Sequence, residues 1–291
     1  MSPTTSAGST SLVGALYVAL SAASFGALPI FIKIAYASGA EPVAVLALRF
    51  TLAALLMSAI MLFKGLPWPR GRNLLTLACM GALGYVGQSF CFFSALNYAS
   101  AGLVSLLLYL YPALVTVLAA IFLRQRLNRL QIGAVAAALA GTALTIGGDA
   151  TGSLPGVLFG VGAALIYSIY ILVGSRMMRA EAALPAATVV MLSAAVVFGL
   201  MAAIRQPALP ATLAGWTAVA GIALVSTVIA MVAFFAGLAR LRASDAATIS
   251  TLEPLVTVIL AAVFLGEPIT PLKFIGGSII LCALVVLARA R

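Results

Sequence analysis

Apolar residues along this chain fall in ten blocks separated by short polar breaks. Each block is about 20 residues long, the length at which an α-helix crosses the hydrocarbon core of a bilayer. The pattern predicts helices over 12–36, 43–63, 73–96, 101–123, 130–148, 154–174, 184–204, 213–238, 245–265 and 271–289, numbered here as segments one to ten. Breaks such as Gly65-Leu66-Pro67-Trp68-Pro69 and Arg205-Gln206-Pro207 end helices and tolerate headgroups or water, and no break is long enough for a soluble domain. Trp68 and Trp216 stand at block ends, where indole rings anchor a helix at the interface. The expected fold is therefore all-α integral membrane, with residues 1–11 as a tail. That tail has no basic start, and the block after it is too long for a signal-peptide core, so the block is expected to remain as segment one.

Composition agrees: charged residues make up 8% of the chain, against roughly 25% in soluble domains. The formal net charge of +10 raises nucleic acid as a partner, so the placement of the cations decides. They sit almost wholly in the breaks. Assigning alternate breaks to one side collects Lys64, Arg70, Arg72, Arg124, Arg126, Arg129, Arg176, Arg179, Arg240, Arg242, Arg289 and Arg291 on a single face. The other face receives Arg205 and Lys273 with Glu41, Asp149 and Glu267. This is a topology signal and not a nucleic-acid footprint. It predicts a multi-pass protein of the cell inner membrane, surrounded by lipid, with both termini in the cytoplasm. One missed helix would reverse every later break and scatter the cations over both faces.

The chain also repeats itself. Leu110-Tyr111-Pro112 with Ala119-Ala120-Ile121-Phe122-Leu123 recurs 142 positions later as Leu252-Glu253-Pro254 with Ala261-Ala262-Val263-Phe264-Leu265. The same offset pairs Gly14 with Gly156. The repeats are expected over 12–148 and 154–289, five helices each. An odd number makes the second enter the membrane from the opposite side, so the repeat is inverted. Accordingly, Arg124-Gln125-Arg126 after segment four becomes Gly266-Glu267-Pro268 after segment nine. Inverted repeats supply two interchangeable conformations, hence alternating access, with a solute site between them near mid-membrane.

These features resemble the drug/metabolite transporter superfamily in its ten-helix, duplicated bacterial form, often called EamA-type. The resembling residues are Phe25-Gly26 with Pro29 and Lys33, Leu48-Arg49-Phe50, and Ala95-Leu96 with Tyr98 and Ala101 leading to Pro112. In the second half they are Leu252-Glu253-Pro254 and Leu265-Gly266-Glu267. The resemblance covers the whole chain and implies secondary efflux of small metabolites, with greatest similarity to exporters of amino acids, aromatic ones included. Superfamily relatives also carry nucleotide sugars, phosphorylated sugars and organic cations, and fold alone does not choose among them. A monomer is the expected unit, with a dimer as the alternative.

Chemistry inside the membrane is sparse. Arg49 lies roughly 9 Å deep in segment two at helical rise, where a guanidinium needs a partner. It either holds a solute carboxylate or braces neighbouring backbone. Glu253 is the one acid expected deep in the membrane, where hydrocarbon favours its neutral form; it suits proton coupling, or a cap on carbonyls freed by Pro254. Lys33 is expected to snorkel to the interface. The repeat partners of Lys33, Arg49 and Glu253 are Ser175, Met191 and Tyr111, so the scaffold is symmetric and the charges are not.

Segment three offers Tyr85, Gln88, Ser89 and Phe92 at spacings of three and four, and segment six offers Tyr167 and Tyr170 at similar depth. They suit a cavity in which a solute ring stacks on aromatics, or equally helix packing with hydroxyls bonded one turn back. Pro29, Pro112 and Pro254 interrupt segments one, four and nine, as hinges or as static kinks.

Other function classes lack their equipment. There is no His for a metal cluster or nucleophile pair and no glycine-rich phosphate loop, as a membrane-embedded enzyme or an ATP-driven pump would need. A channel filter needs a ring of like polar groups from several subunits, whereas here the pseudo-symmetry lies within one chain. No cofactor is expected. A translocator of phosphorylated solutes would need more cavity cations than Arg49 and Lys33. Cys79, Cys91 and Cys282 fall inside apolar blocks and are expected to be free, buried thiols.

Overall fold

The computed structural model describes residues 6–124, 127–147, 152–174, 183–241 and 243–289; Gln125, Arg126, Asp149, Ser175, Arg176, Arg179, Arg242 and Arg291 lie outside the described residues. Among the described residues, ten helices are long and apolar enough to span a membrane. They are α1 (Leu12–Ala37), α2 (Pro42–Phe63), α3 (Gly71–Ala95), α4 (Ala101–Phe122), α5 (Arg129–Gly147), α6 (Leu154–Gly174), α7 (Ala183–Arg205), α8 (Leu213–Leu238), α9 (Asp245–Leu265) and α10 (Pro271–Arg289). Helical order begins earlier than α1, at Ser6, inside the stretch expected as tail. Only a helix satisfies its own backbone groups in hydrocarbon without closing into a barrel, which is why uncharged runs of this length fold so.

The helices form two inverted repeats, α1–α5 and α6–α10, and local packing follows the 142-residue offset. A side chain placed on Gly14 would strike Arg240 and Leu241; one placed on Gly156 would strike Tyr98 and Ala99. Each of those four contacts is the repeat image of another. Deeper in the membrane, Gly26 of α1 lies against the carbonyl of Glu253 in α9. Its image Ser168 in α6 donates its hydroxyl to the carbonyl of Tyr111 in α4, at 3.2 Å. Small residues at these crossings let backbones approach closely, the usual basis of association in lipid. The peripheral crossing of α5 and α10 uses Gly141 and Gly276 in the same way.

Breaks occur where the prolines stand. The helix Ser6–Gly26 gives way to Leu28–Ala37 beside Pro29, Ala101–Leu108 to Tyr111–Leu123 beside Pro112, and Ala243–Ser250 to Leu252–Leu265 beside Pro254. A second irregularity had no sequence signal: α3 contains a π-helical segment at Met80–Tyr85, and α8 contains one at Leu224–Ile229, in matching parts of the two repeats. At the centre α2 crosses α7, where Phe50 stacks on Phe198 with centroids 5.5 Å apart.

One expectation needs correction. The cysteines are free, yet Cys79 and Cys282 face outward and Cys91 is half-buried. Lipid-facing and core-facing positions of a spanning helix are equally apolar, so composition cannot tell them apart. The Lys33 ammonium extends to the loop before α4, where it donates to the carbonyl of Ala99 at 2.9 Å.

Candidate functional site

A cavity of about 490 Å³ lies at mid-depth between the repeats, bounded by residues of α1–α4 and α6–α9. Its walls include Pro29, Tyr85 at the end of the α3 π segment, and the residues beside the breaks in α4 and α9. Arg49, Tyr85, Gln88, Ser89, Phe92, Tyr167, Tyr170, Glu253 and Pro29 all line it. Pro112 lies in an adjoining space, and Pro254 is buried beside Glu253. The structure thus brings together residues from separate segments, and Arg49 and Glu253 are the basic and acidic side chains in the lining among the described residues.

Arg49 is 3% exposed, and no carboxylate pairs with it among the described residues. Its Nε donates to Thr227 Oγ1 at 3.0 Å, and its guanidinium also engages the Tyr85 hydroxyl. The rings of Phe50 and Phe93 lie 5.0 and 5.4 Å from the guanidinium carbon, a cation–π arrangement. Thr227 belongs to the π segment of α8, where its hydroxyl donates to the Ile222 carbonyl five residues back. That segment therefore holds the acceptor that aims Arg49. Every partner is neutral, so the positive charge stays uncompensated at the edge of the cavity, and a buried charge in that condition favours an anionic group.

The tyrosines form a continuous arc. Tyr85 meets Tyr170 at 5.8 Å, Tyr170 stacks on Tyr167 at 6.0 Å, Tyr167 meets Tyr111 edge-on at 4.9 Å and Tyr111 meets Tyr109 at 5.9 Å. One end of the arc touches Arg49 through Tyr85. At the other end the Tyr109 hydroxyl stands 2.8 Å from Glu253 Oε2. Aromatic faces with hydroxyl rims bind apolar rings while keeping polar atoms in reach. Sequence reasoning missed Tyr109 and Tyr111 as lining groups and Thr227 as the buried partner of Arg49; the available signal was the placement of Tyr111 opposite Glu253 in the repeat.

The site is closed on one face and approached from the other. On the face away from the termini, the Glu267 carboxylate accepts from the amides of Ala101 and Gly102 at 2.6 and 3.1 Å, capping α4. Lys273, 5% exposed, lies 3.8 Å from Glu267 and donates to Ser100 Oγ at 2.9 Å. The loops at Ser38–Glu41 and Ala208–Ala211 join by Glu41 N to Ala208 O and Ala211 N to Ser38 O. Apart from the Lys273–Glu267 pair, which lies within the second repeat, these contacts tie one repeat to the other. Toward the termini, the cavity adjoins a space of about 690 Å³, sharing Tyr109, Tyr111, Ala247 and Ser250 with it and reaching Asp245 and Arg289 at the ends of α9 and α10.

Comparison with known proteins agrees with this architecture. The EamA-like transporter family matches residues 12–147 and again 154–289, one match per repeat. The uncharacterized transporter YcbK of Bacillus subtilis is 30% identical over 90% of this chain and 88% of its own length. The probable terminal-alkyne amino-acid exporter of Streptantibioticus cattleyicolor is 26% identical over 83% of this chain and 82% of its own. The aromatic amino acid exporter YddG of Ancylobacter novellus is 29% identical over 56% and 54%. A crystal structure that is 23% identical over 97% of both chains superposes with a TM-score of 0.69 and shares the fold. With both repeats matched and ten spanning helices around a central cavity, this chain belongs to the EamA-like transporter family and is a multi-pass membrane transporter.

Proposed function

We propose that this transporter exports amino acids, aromatic or otherwise neutral, across the cytoplasmic membrane by alternating access, with both termini in the cytoplasm. The observation that carries the reading is the uncompensated Arg49 guanidinium at one end of an arc of five tyrosines. A carboxylate meets the guanidinium, and an apolar or aromatic side chain lies on the rings. Two of the similar proteins are named as amino-acid exporters, which fits the same solute class. A lone cavity cation favours a single carboxylate over a doubly charged phosphate ester, and a purely cationic solute would meet Arg49 unfavourably. The central cavity adjoins the space at the terminal face while the opposite face is tied shut, so this is the cytoplasm-facing state of the cycle. Pro29, Pro112 and Pro254 serve as the hinges of the change, bending helices at breaks already present.

The test is uptake of radiolabelled L-phenylalanine and L-leucine into proteoliposomes, with and without a pH gradient, against nucleotide sugars and organic cations as competitors. Saturable amino-acid uptake that these competitors leave unchanged is expected. Inhibition by an organic cation with no response to amino acids would replace this reading with a cation exporter.

A further inference from the structure

Pro254 has no backbone N–H, so the carbonyl four residues earlier, that of Ser250, loses its helical donor. Tyr109 stands in: its hydroxyl oxygen is 3.0 Å from the Ser250 carbonyl oxygen. The same oxygen is 2.8 Å from Oε2 of Glu253. A phenol has one hydrogen to give, and a carbonyl oxygen can only accept. With that hydrogen on Ser250, the short contact to Glu253 would set lone pair against lone pair unless the carboxyl itself donates. Sharing the hydrogen between both acceptors would leave a buried carboxylate with half a donor, a costly arrangement.

Resting on the amino-acid reading for its solute, we propose that Glu253 is protonated in this conformation, donating to Tyr109 while Tyr109 donates to Ser250, and that this proton exchanges for the ammonium group of the solute.

The surroundings fit. Helix α1 packs against α9 and carries no ionisable residue from 18 to 32, and residues 101–108 of α4 carry none. Across the cavity the facing groups are Tyr85, Tyr109, Tyr111, Tyr167, Tyr170 and Arg49. Asp245, Arg240 and Arg289 stand at the terminal-face ends of α9, α8 and α10. Glu253 is thus the acid facing the solute space, and Arg49 lines the same cavity from the other end of the tyrosine arc.

The exchange balances. As the ammonium approaches, the O–H bond of Glu253 breaks, the proton leaves through water toward the terminal face, and the carboxylate pairs with the amine. When the opposite face opens, a proton from outside re-forms the O–H bond and releases the solute. One proton enters for each solute that leaves.

Infrared difference spectroscopy of the full-length chain in lipid tests the first step. A protonated-carboxyl band near neutral pH, lost in Glu253→Gln and shifted in Tyr109→Phe, is expected; a wild-type spectrum without such a band overturns the proposal for any solute. The exchange is read as proton release into weakly buffered solution on adding L-phenylalanine or 3-phenylpropionate, which lacks the amine. Release is expected with L-phenylalanine only, and none is expected from Glu253→Gln. L-phenylalanine transport without proton release would overturn the exchange and leave amino-acid export standing. Release on adding phenethylamine, with no transport of any amino acid, would support the exchange and overturn the amino-acid solute.

Discussion

Arg124 and Gly266 stand 142 positions apart, and both end their helices in the left-handed backbone conformation, at φ 53° and 67°. The second repeat has the residue that this geometry favours, and the first does not. Left-handed backbone costs an L-residue roughly 1–2 kcal/mol, and nothing lies within 4 Å of where a Gly266 side chain would begin. Gly266→Ala therefore destabilises the chain by about 1 kcal/mol through backbone conformation alone. Reversible unfolding in mixed micelles measures it; an unchanged midpoint would show that the cap relaxes freely.

Arg49→Leu removes the cavity's cation while keeping an apolar surface beside Phe50 and Phe93. Apparent affinity for L-phenylalanine should fall by tenfold or more, about 1.4 kcal/mol, and competition by phenethylamine should not weaken. Arg49→Lys should recover only part of the loss, because an ammonium lacks the guanidinium's fork. Uptake titrations in proteoliposomes read both, and equal loss for the amine without a carboxylate would assign Arg49 a bracing role.

Truncating Tyr85 or Tyr167 to Ala removes a ring from the arc that links Arg49 to Glu253. Stacking of this kind is worth about 0.5–1.5 kcal/mol beyond area burial, hence a weakening of roughly two- to tenfold. Tyr167→Phe keeps the ring and should retain most affinity. Parent-rate transport by both Ala variants would move the solute site elsewhere.

Glu267→Gln leaves an amide where a carboxylate now caps α4 and faces Lys273. Charge-assisted bonds of this type are worth about 1.5–3 kcal/mol, so the closed face should open more often, by roughly tenfold or more. A cysteine replacing Ala101, in a chain lacking Cys79, Cys91 and Cys282, should then react faster with an impermeant thiol reagent. Unchanged labelling would mean that the remaining loop contacts hold the face without Glu267.

Single cysteines at Arg70 and Arg240, in the same background, test orientation. They should stay unlabelled by impermeant reagents in right-side-out vesicles and react once the vesicles are opened. Labelling of either before opening would overturn the cytoplasmic placement of the termini.

Much of this architecture could be read from residue order. Block length gave the ten helices, and the Pro112 and Pro254 pairing gave the repeat, because hydrocarbon imposes both a span length and an internally bonded backbone. Tyr85, Gln88 and Tyr167 could be placed on one wall from helical spacing and depth. Tyr109 could not, since it sits at the break in α4, where 3.6-residue periodicity no longer indicates direction. Thr227 was equally hidden, because its aim depends on a π turn that no residue announces. Lys273 and Glu267 read as loop charges, and only the approach of the opposite repeat buries them.

The matching π segments of α3 and α8 bear on ancestry. Each widens one turn of a spanning helix, a change that an unaccommodated helix resists, and each sits in the corresponding part of its half. Two independent acquisitions within two residues of the repeat register are harder to explain than one inherited before the gene doubled. The ancestral five-helix unit then already carried the widened turn, and it reached a complete solute pocket by pairing with a second copy of itself inserted in the opposite orientation. Fusion freed the two copies to diverge, so that one could keep a cation and the other an acid.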